Sequence, residues 1–142
     1  HDKNAWEGHD GEVYGPVFEV FAVLAATLPG MPLIYGGQEA VLDKRIAFFE
    51  KDPIAWKDYA LEPFYTELLR LKARHPALWN GAAGAPVELL PCGNKAVFAF
   101  RRTQGGDAVS VAVNLSGRAQ RATLALPGGP TTLEPWSYRI IT

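Results

Sequence analysis

Two His-Asp pairs open the chain: His1-Asp2 and His9-Asp10 lie eight residues apart, with Trp6 between them. Imidazoles and carboxylates are the side chains that most often ligate metal ions and move protons. An indole ring can stack on the apolar face of a sugar. Three interpretations follow, namely a metal site, part of a carbohydrate site, and a hydrated polar loop. The spacing of the pairs alone does not distinguish them.

A metal site is the weakest of these interpretations. The chain has three histidines and one cysteine, and His75 is far from both pairs in sequence, so too few nitrogen and sulfur ligands can converge. A metal phosphohydrolase of the His-Asp type would need further histidines and an all-helical body, whereas the last third of this chain resembles strands. We therefore interpret His9-Asp10, in the sequence GHDG, as a hydrated turn, and predict no metal ligand in this chain.

Composition limits the classes of partner. The 142 residues are 48% hydrophobic, enough for a buried core, and the net charge is −1 without a basic cluster, which argues against nucleic acid. The longest apolar run, residues 17–28, contains Glu19 and is shorter than the roughly 20 residues that span a bilayer, so no membrane partner is expected. Cys92 is the single cysteine. Because the chain begins at His1 without a signal segment, we expect a processed product or an excised piece.

The first 80 residues have the pattern of helices around one buried strand. Gly15-Pro16 can begin an apolar helix that ends before Pro29-Gly30. The sequence MPLIYGG, residues 31–37, predicts a strand buried on both faces, as in a parallel sheet. Residues 38–60 predict a functional loop or short helical turns. Residues 62–74 predict an amphipathic helix with basic side chains in its last turns.

The sequence changes character from Pro86 onward, where five strand-like runs alternate with Gly-rich turns. This pattern predicts a small antiparallel β-sandwich, with a domain boundary within residues 79–86. A single buried strand flanked by helices is typical of the last unit of a larger α/β structure. The alternative is a compact α+β domain with a mixed sheet, and the pattern does not separate the two.

The motif GMPLIYGGQE, residues 30–39, resembles the last barrel strand of α-amylase-family glycoside hydrolases, which typically read GxPLIYYGQE. His1-Asp2 is similar to the end of that family's Asn-His-Asp motif, and VFAFRR, VAVNLSG and LEPWSYRII resemble its C-terminal β-sandwich. The resemblance covers essentially the whole chain. It implies an α+β chain in which residues 1–80 form the last β/α units of a TIM barrel, after its seventh strand, and residues 81–142 form a small antiparallel β-sandwich.

The resemblance also implies a chemistry. Retaining glycosidases use a nucleophile and a proton donor about 5–5.5 Å apart. The family carries both carboxylates on earlier barrel strands, and neither motif occurs here, so we expect the chain alone to be inactive. Asp2 matches a third carboxylate that stabilises the transition state, and His1 matches a histidine that binds the same glucose. Trp6 is a candidate for stacking on substrate, with local packing as the alternative.

The resemblance implies an α-glucan substrate for a larger parent enzyme, without distinguishing an amylase from a neopullulanase, glucosidase or transglycosylase. No cofactor is expected in this chain, and calcium, common in the family, would be bound elsewhere in the parent. The compartment stays open, with a secreted or periplasmic parent as one option. A non-catalytic carbohydrate-binding or structural module is the rival interpretation. Because the flanks of residues 31–37 would be exposed, we also expect self-association into a homo-oligomer.

Overall fold

A computed structural model describes residues 3–124 and 129–142, so His1 and Asp2 lie outside the described part. The helices are α1 (Lys3–Glu7), α2 (Asp10–Val13), α3 (Phe18–Thr27) and α4 (Glu62–Arg74). The strands are β1 (Glu88–Leu89), β2 (Val97–Gln104), β3 (Asp107–Asn114), β4 (Gln120–Ala122), β5 (Thr131–Leu133) and β6 (Tyr138–Ile141). Short 3₁₀ turns occupy Gly15–Val17, Gln38–Ala40, Pro76–Leu78 and Gly81–Ala83. None of the helices in these two ranges is long and apolar enough to cross a membrane.

Both predicted long helices are confirmed. The first begins as a 3₁₀ turn at Gly15–Val17 and becomes α3 at Phe18, with Val20 and Val23 completely buried. Helix α4 begins and ends at the predicted residues. Its apolar face packs inward, and its basic side chains lie in the last turn, where the partial negative charge of the helix end favours them.

The predicted strand at residues 31–37 is wrong for this structure. Residues 31–35 belong to no helix or strand, and the chain turns at residues 36–37 into the 3₁₀ turn Gln38–Ala40. A strand exists only where a neighbouring strand supplies hydrogen bonds, and no described residue pairs with this segment. The side chains of Met31 and Leu33 are accordingly 84% and 64% exposed.

The second half contains two antiparallel sheets. The larger has the order β1-β2-β3-β6, and the smaller pairs β4 with β5. The β2–β3 hairpin runs in register from Val97 opposite Asn114 to Gln104 opposite Asp107, and turns at Gly105 with a φ of 60°. The last predicted run divides into β5 and β6. The α+β class is therefore confirmed, while a barrel end followed by a complete sandwich remains a prediction.

The four-stranded sheet has one core on each face. Alternate residues of β3, namely Val109, Val111 and Val113, join a buried cluster with α3, α4 and the turn Pro76–Leu78. Ala112 points the other way and joins a second cluster with residues of β4 and β5. This alternation follows from the two-residue repeat of a strand.

A buried arginine links the helices to the sheet. Arg102 of β2 is 1% exposed, and its guanidinium donates hydrogen bonds only to carbonyl oxygens in the contacts described: Ala85 (2.8 Å), Trp79 (2.9 Å), Thr27 (3.0 Å) and Leu78 (3.3 Å). Thr27 ends α3, where carbonyls lack partners inside the helix. The backbone of Gly84 approaches the Trp79 carbonyl so closely that an added Cβ would be 1.8 Å from its oxygen. Only glycine fits at this position.

Candidate functional site

The segment that follows Asp2 lies against the segment that carries the GMPLIYGGQE motif. Helices α1 and α2 are separated by a bend at Gly8, whose φ of +130° favours glycine. Between the two segments is an open cavity of about 290 Å³. Its lining combines polar and apolar groups, from Lys3, Asn4, Glu7, Asp10, Tyr35 and Gln38 among others. Such a lining can donate to and accept from the hydroxyl groups of a polar ligand.

Gln38 connects the two sides of this cavity. Its Nε2 donates to Oδ2 of Asp10 at 2.7 Å, and its Oε1 accepts from the backbone N–H of Tyr35 at 2.8 Å. The interpretation of His9-Asp10 as a hydrated turn is therefore wrong for Asp10, which begins α2 and has a protein partner 28 residues away. Sequence reasoning missed Gln38 as well, although it lies inside the motif.

Asn4 makes a second connection on the same segment. Its Oδ1 accepts from the backbone N–H of Ile46 at 2.7 Å, and its Nδ2 donates to the carbonyl of Lys44 at 3.1 Å. This amide thus pairs with the backbone of the loop in the way a neighbouring strand would. No local sequence signal could have shown it, because its partners lie about forty positions away.

Trp6 is in the same helix as Asn4 and Glu7 but does not line the cavity. Its ring packs on Phe48 with a centroid distance of 5.0 Å and lies 6.2 Å from Phe49. The residue is still 57% exposed. The structure thus includes the local packing that was the alternative for this residue, and stacking on substrate stays a prediction.

Three ion pairs hold residues 41–57. Glu12 with Arg45 and Asp43 with Lys57 are exposed, and Asp52 with Lys44 is partly buried. In each case a hydrogen bond from the cation is the main cause of a lowered carboxyl pKa. Glu39, at the end of the motif, accepts from the N–H of Gly37 at 3.1 Å through Oε2. These carboxylates are occupied with holding the loop.

Asp2 and His1, the predicted transition-state carboxylate and glucose-binding histidine, lie outside the described residues. Their neighbours Lys3 and Asn4 line the cavity. Across residues 3–124 and 129–142, no group of three or more His, Cys, Asp or Glu side chains is arranged to hold a metal ion.

Comparison with known proteins gives the family. The α-amylase MalA of Haloarcula japonica is 34% identical to this chain over 119 residues, which cover 80% of the chain. The chain is related to the α-amylase family. It corresponds to the C-terminal part of that family, and it spans only 17% of the length of the curated relative. No protein-family model matches the sequence.

Several solved structures share the fold of this chain. The debranching enzyme of Nostoc punctiforme aligns with 92% of this chain and 32% of its own, at a TM-score of 0.70 and 21% identity. The maltogenic amylase of S. marinus aligns with 92% of this chain and 20% of its own, at a TM-score of 0.69 and 18% identity. The cyclic α-maltosyl-(1→6)-maltose hydrolase of Arthrobacter globiformis aligns with 93% of this chain and 31% of its own, at a TM-score of 0.66 and 18% identity. The arrangement of helices and sheets is therefore that of a known fold.

Proposed function

We propose that this chain is the C-terminal part of a retaining glycoside hydrolase that cleaves α-glucosidic bonds in starch-like glucans. The observation that carries the proposal is the 34% identity to an α-amylase over 80% of the chain. The cavity supports it, because its lining combines Lys3 and Asn4, which follow Asp2 in sequence, with residues of the motif at 30–39. The nucleophile and the proton donor would come from the rest of the polypeptide.

In this proposal Asp2 stabilises the transition state. A glycosyl transition state carries positive charge on the sugar ring, so a fixed carboxylate that accepts hydrogen bonds from sugar hydroxyls lowers its energy more than that of the ground state. His1 binds the same sugar. Neither residue breaks the bond, so the chain alone binds or positions substrate without turnover.

The test compares hydrolysis of maltoheptaose by the full-length polypeptide that contains this sequence, with and without Asp2→Asn. We expect Asp2→Asn to lower kcat by about 100-fold or more, as for the loss of a group that acts in the transition state. Glu67→Gln is the matched control, because Glu67 is an exposed carboxylate on α4 that pairs with Arg70. Full activity of Asp2→Asn, or turnover by the 142-residue chain alone, would contradict the proposal.

A carbohydrate-binding role without catalysis is the second candidate, and exposed aromatic rings favour it. Trp56 and Tyr59 stack at 5.9 Å with an interplanar angle of 13°, and they are 51% and 40% exposed. Such flat surfaces bind pyranose rings. This role predicts that the chain binds maltoheptaose in calorimetry and that Trp56→Ala abolishes the heat of binding, while Asp2→Asn leaves it unchanged.

A further inference from the structure

We propose that Gln38 is a positioning residue for catalysis, because its side-chain amide ties the α1–α2 segment to the segment at residues 30–39 that carries the motif. This inference rests on the proposed function, because it gives Gln38 a role in the same site. Gln38 itself has no need to touch the reacting atoms. It acts through Asp10 on one side and the backbone of Tyr35 on the other.

The chemistry of the two partners fixes the orientation of the Gln38 amide. The backbone N–H of Tyr35 can only donate, so it takes the amide oxygen at 2.8 Å. The ionised carboxylate of Asp10 can only accept, so it takes the amide nitrogen at 2.7 Å. Both bonds are partly buried, which makes the loss of either one costly. A carboxylate at position 38 could satisfy Tyr35 but would face Asp10 with a second acceptor.

The α1–α2 segment depends on such bonds because its other contacts, the packing of Trp6 on Phe48 and the ion pair of Glu12 with Arg45, are exposed. Helix α1 has five residues and α2 has four, and neither contains a buried residue. Helices this short are not stable in water by themselves. The segment is tied instead by its polar contacts, at Asn4 near one end and at Asp10 near the other. In sequence the α1–α2 segment follows directly after Asp2, so the proposed function predicts that loosening this segment lowers the rate.

A shift of the α1–α2 segment should lower the reaction rate. A catalytic group misplaced by about 1 Å can cost roughly 100-fold in rate, even when the substituted residue is distant from the chemistry. Substrate binding is spread over many groups and should change less. The expected signature of Gln38 is therefore a loss in kcat with a small change in KM.

The experiment exchanges the partners between positions 10 and 38 in the full-length polypeptide. Gln38→Glu should lower kcat about 10- to 100-fold, with KM within about threefold, because two carboxylates would face each other. Asp10→Asn should have a small effect, since its amide oxygen can accept from Gln38. The double variant should recover most of the lost kcat, because the amide introduced at position 10 can donate to the carboxylate introduced at position 38.

A matched control is available among the strands of the second half, residues 88–141. Asn94 also ties two segments through its amide, donating to Oε1 of Gln120 at 2.8 Å and accepting from the N–H of Ala96 at 2.9 Å. Asn94→Ala should lower the melting temperature without changing kcat. Asn4→Ala serves as the second variant should Gln38→Glu fail to fold, and it should lower kcat with KM nearly constant.

The outcomes separate this inference from the proposed function. Unchanged kcat in Gln38→Glu together with inactive Asp2→Asn would overturn the positioning role and leave the proposed function standing. The same is true if the double variant is no faster than Gln38→Glu. Full activity of Asp2→Asn would overturn the proposed function itself.

Discussion

Individual side chains in this protein often satisfy backbone groups that secondary structure leaves without partners. Asn114, at the end of β3, is completely buried and donates to the carbonyls of Arg118 at 2.7 Å and Glu134 at 2.8 Å. Its Oδ1 accepts from the N–H of Ser116 at 3.0 Å. Gln38 and Asn4 do the same for the N-terminal segment. The polar residues of the chain thus carry much of its structural specificity.

Asp107 gives one residue a pH-dependent structural role. Its carboxylate lies 2.7 Å from Nδ1 of His75 and accepts from the N–H of Ala77 at 2.9 Å, so the hairpin turn is tied to the end of α4. Partial burial alone would raise the pKa of Asp107, but the hydrogen bonds from His75 and Ala77 outweigh it and hold the pKa below its usual value of 3.8.

We therefore expect Asp107 to stabilise the fold fully above the pKa that it has in the unfolded chain, about 3.9. This contribution should disappear as the pH falls through the lower pKa of the folded state. Urea unfolding of wild type and Asp107→Asn between pH 3 and 7 measures it: the difference between the two should be largest near neutrality and shrink on acidification. Asp58→Asn, at an exposed position, is the control. A difference that is constant with pH would contradict this role.

Among the elements, the junction between α3, the turn Pro76–Leu78 and the sheet depends on Arg102. Arg102→Met should keep most of the side-chain volume but remove the guanidinium donor from four carbonyl groups, of which that of Leu78 also accepts from Lys72. This loss should lower the free energy of unfolding by about 3 kcal/mol or more. Arg121→Met, at an exposed position of β4, should change it by less than about 0.5 kcal/mol. Chemical denaturation of both variants measures the two values, and similar small changes would show that the junction does not need Arg102.

The elements differ in how well the sequence alone predicts them. Helix α4 and the β2–β3 hairpin are set by local signals, namely apolar spacing and a Gly-Gly turn, and these were predicted correctly. Residues 31–37 have equally strong strand character, but a strand depends on a neighbour that local sequence does not encode. The same reason explains the site: the tie between Asp10 and Gln38 joins positions 28 apart, and only the folded chain brings them together.

At the scale of the whole molecule, we expect the segment at residues 31–35 to favour pairing with another chain. Along residues 31–35 no described residue forms a ladder with the backbone, and an apolar cavity of about 160 Å³ lies between this segment, α3 and α4. Unpaired backbone next to apolar side chains is a template for association.

We expect the average mass of the isolated chain to rise with concentration in multi-angle light scattering. Leu33→Lys should reduce this association, because it places a charge on the exposed segment. Leu89→Lys is the matched control, since Leu33 and Leu89 are 64% and 66% exposed but Leu89 lies in β1. A monodisperse monomer at all concentrations would show that the segment is covered within one chain.

The carbonyl cluster around Arg102 also limits how the molecule can be recombined. A chimaera joined after residue 80 would take its arginine from one parent and the Thr27, Leu78 and Trp79 oxygens from the other, leaving only Ala85 on the arginine's own side. If the two parents place these carbonyl oxygens differently, the chimaera would bury the guanidinium without enough hydrogen-bond acceptors. Exchange of the β region between relatives should succeed only when the donor's residues near the junction travel with it.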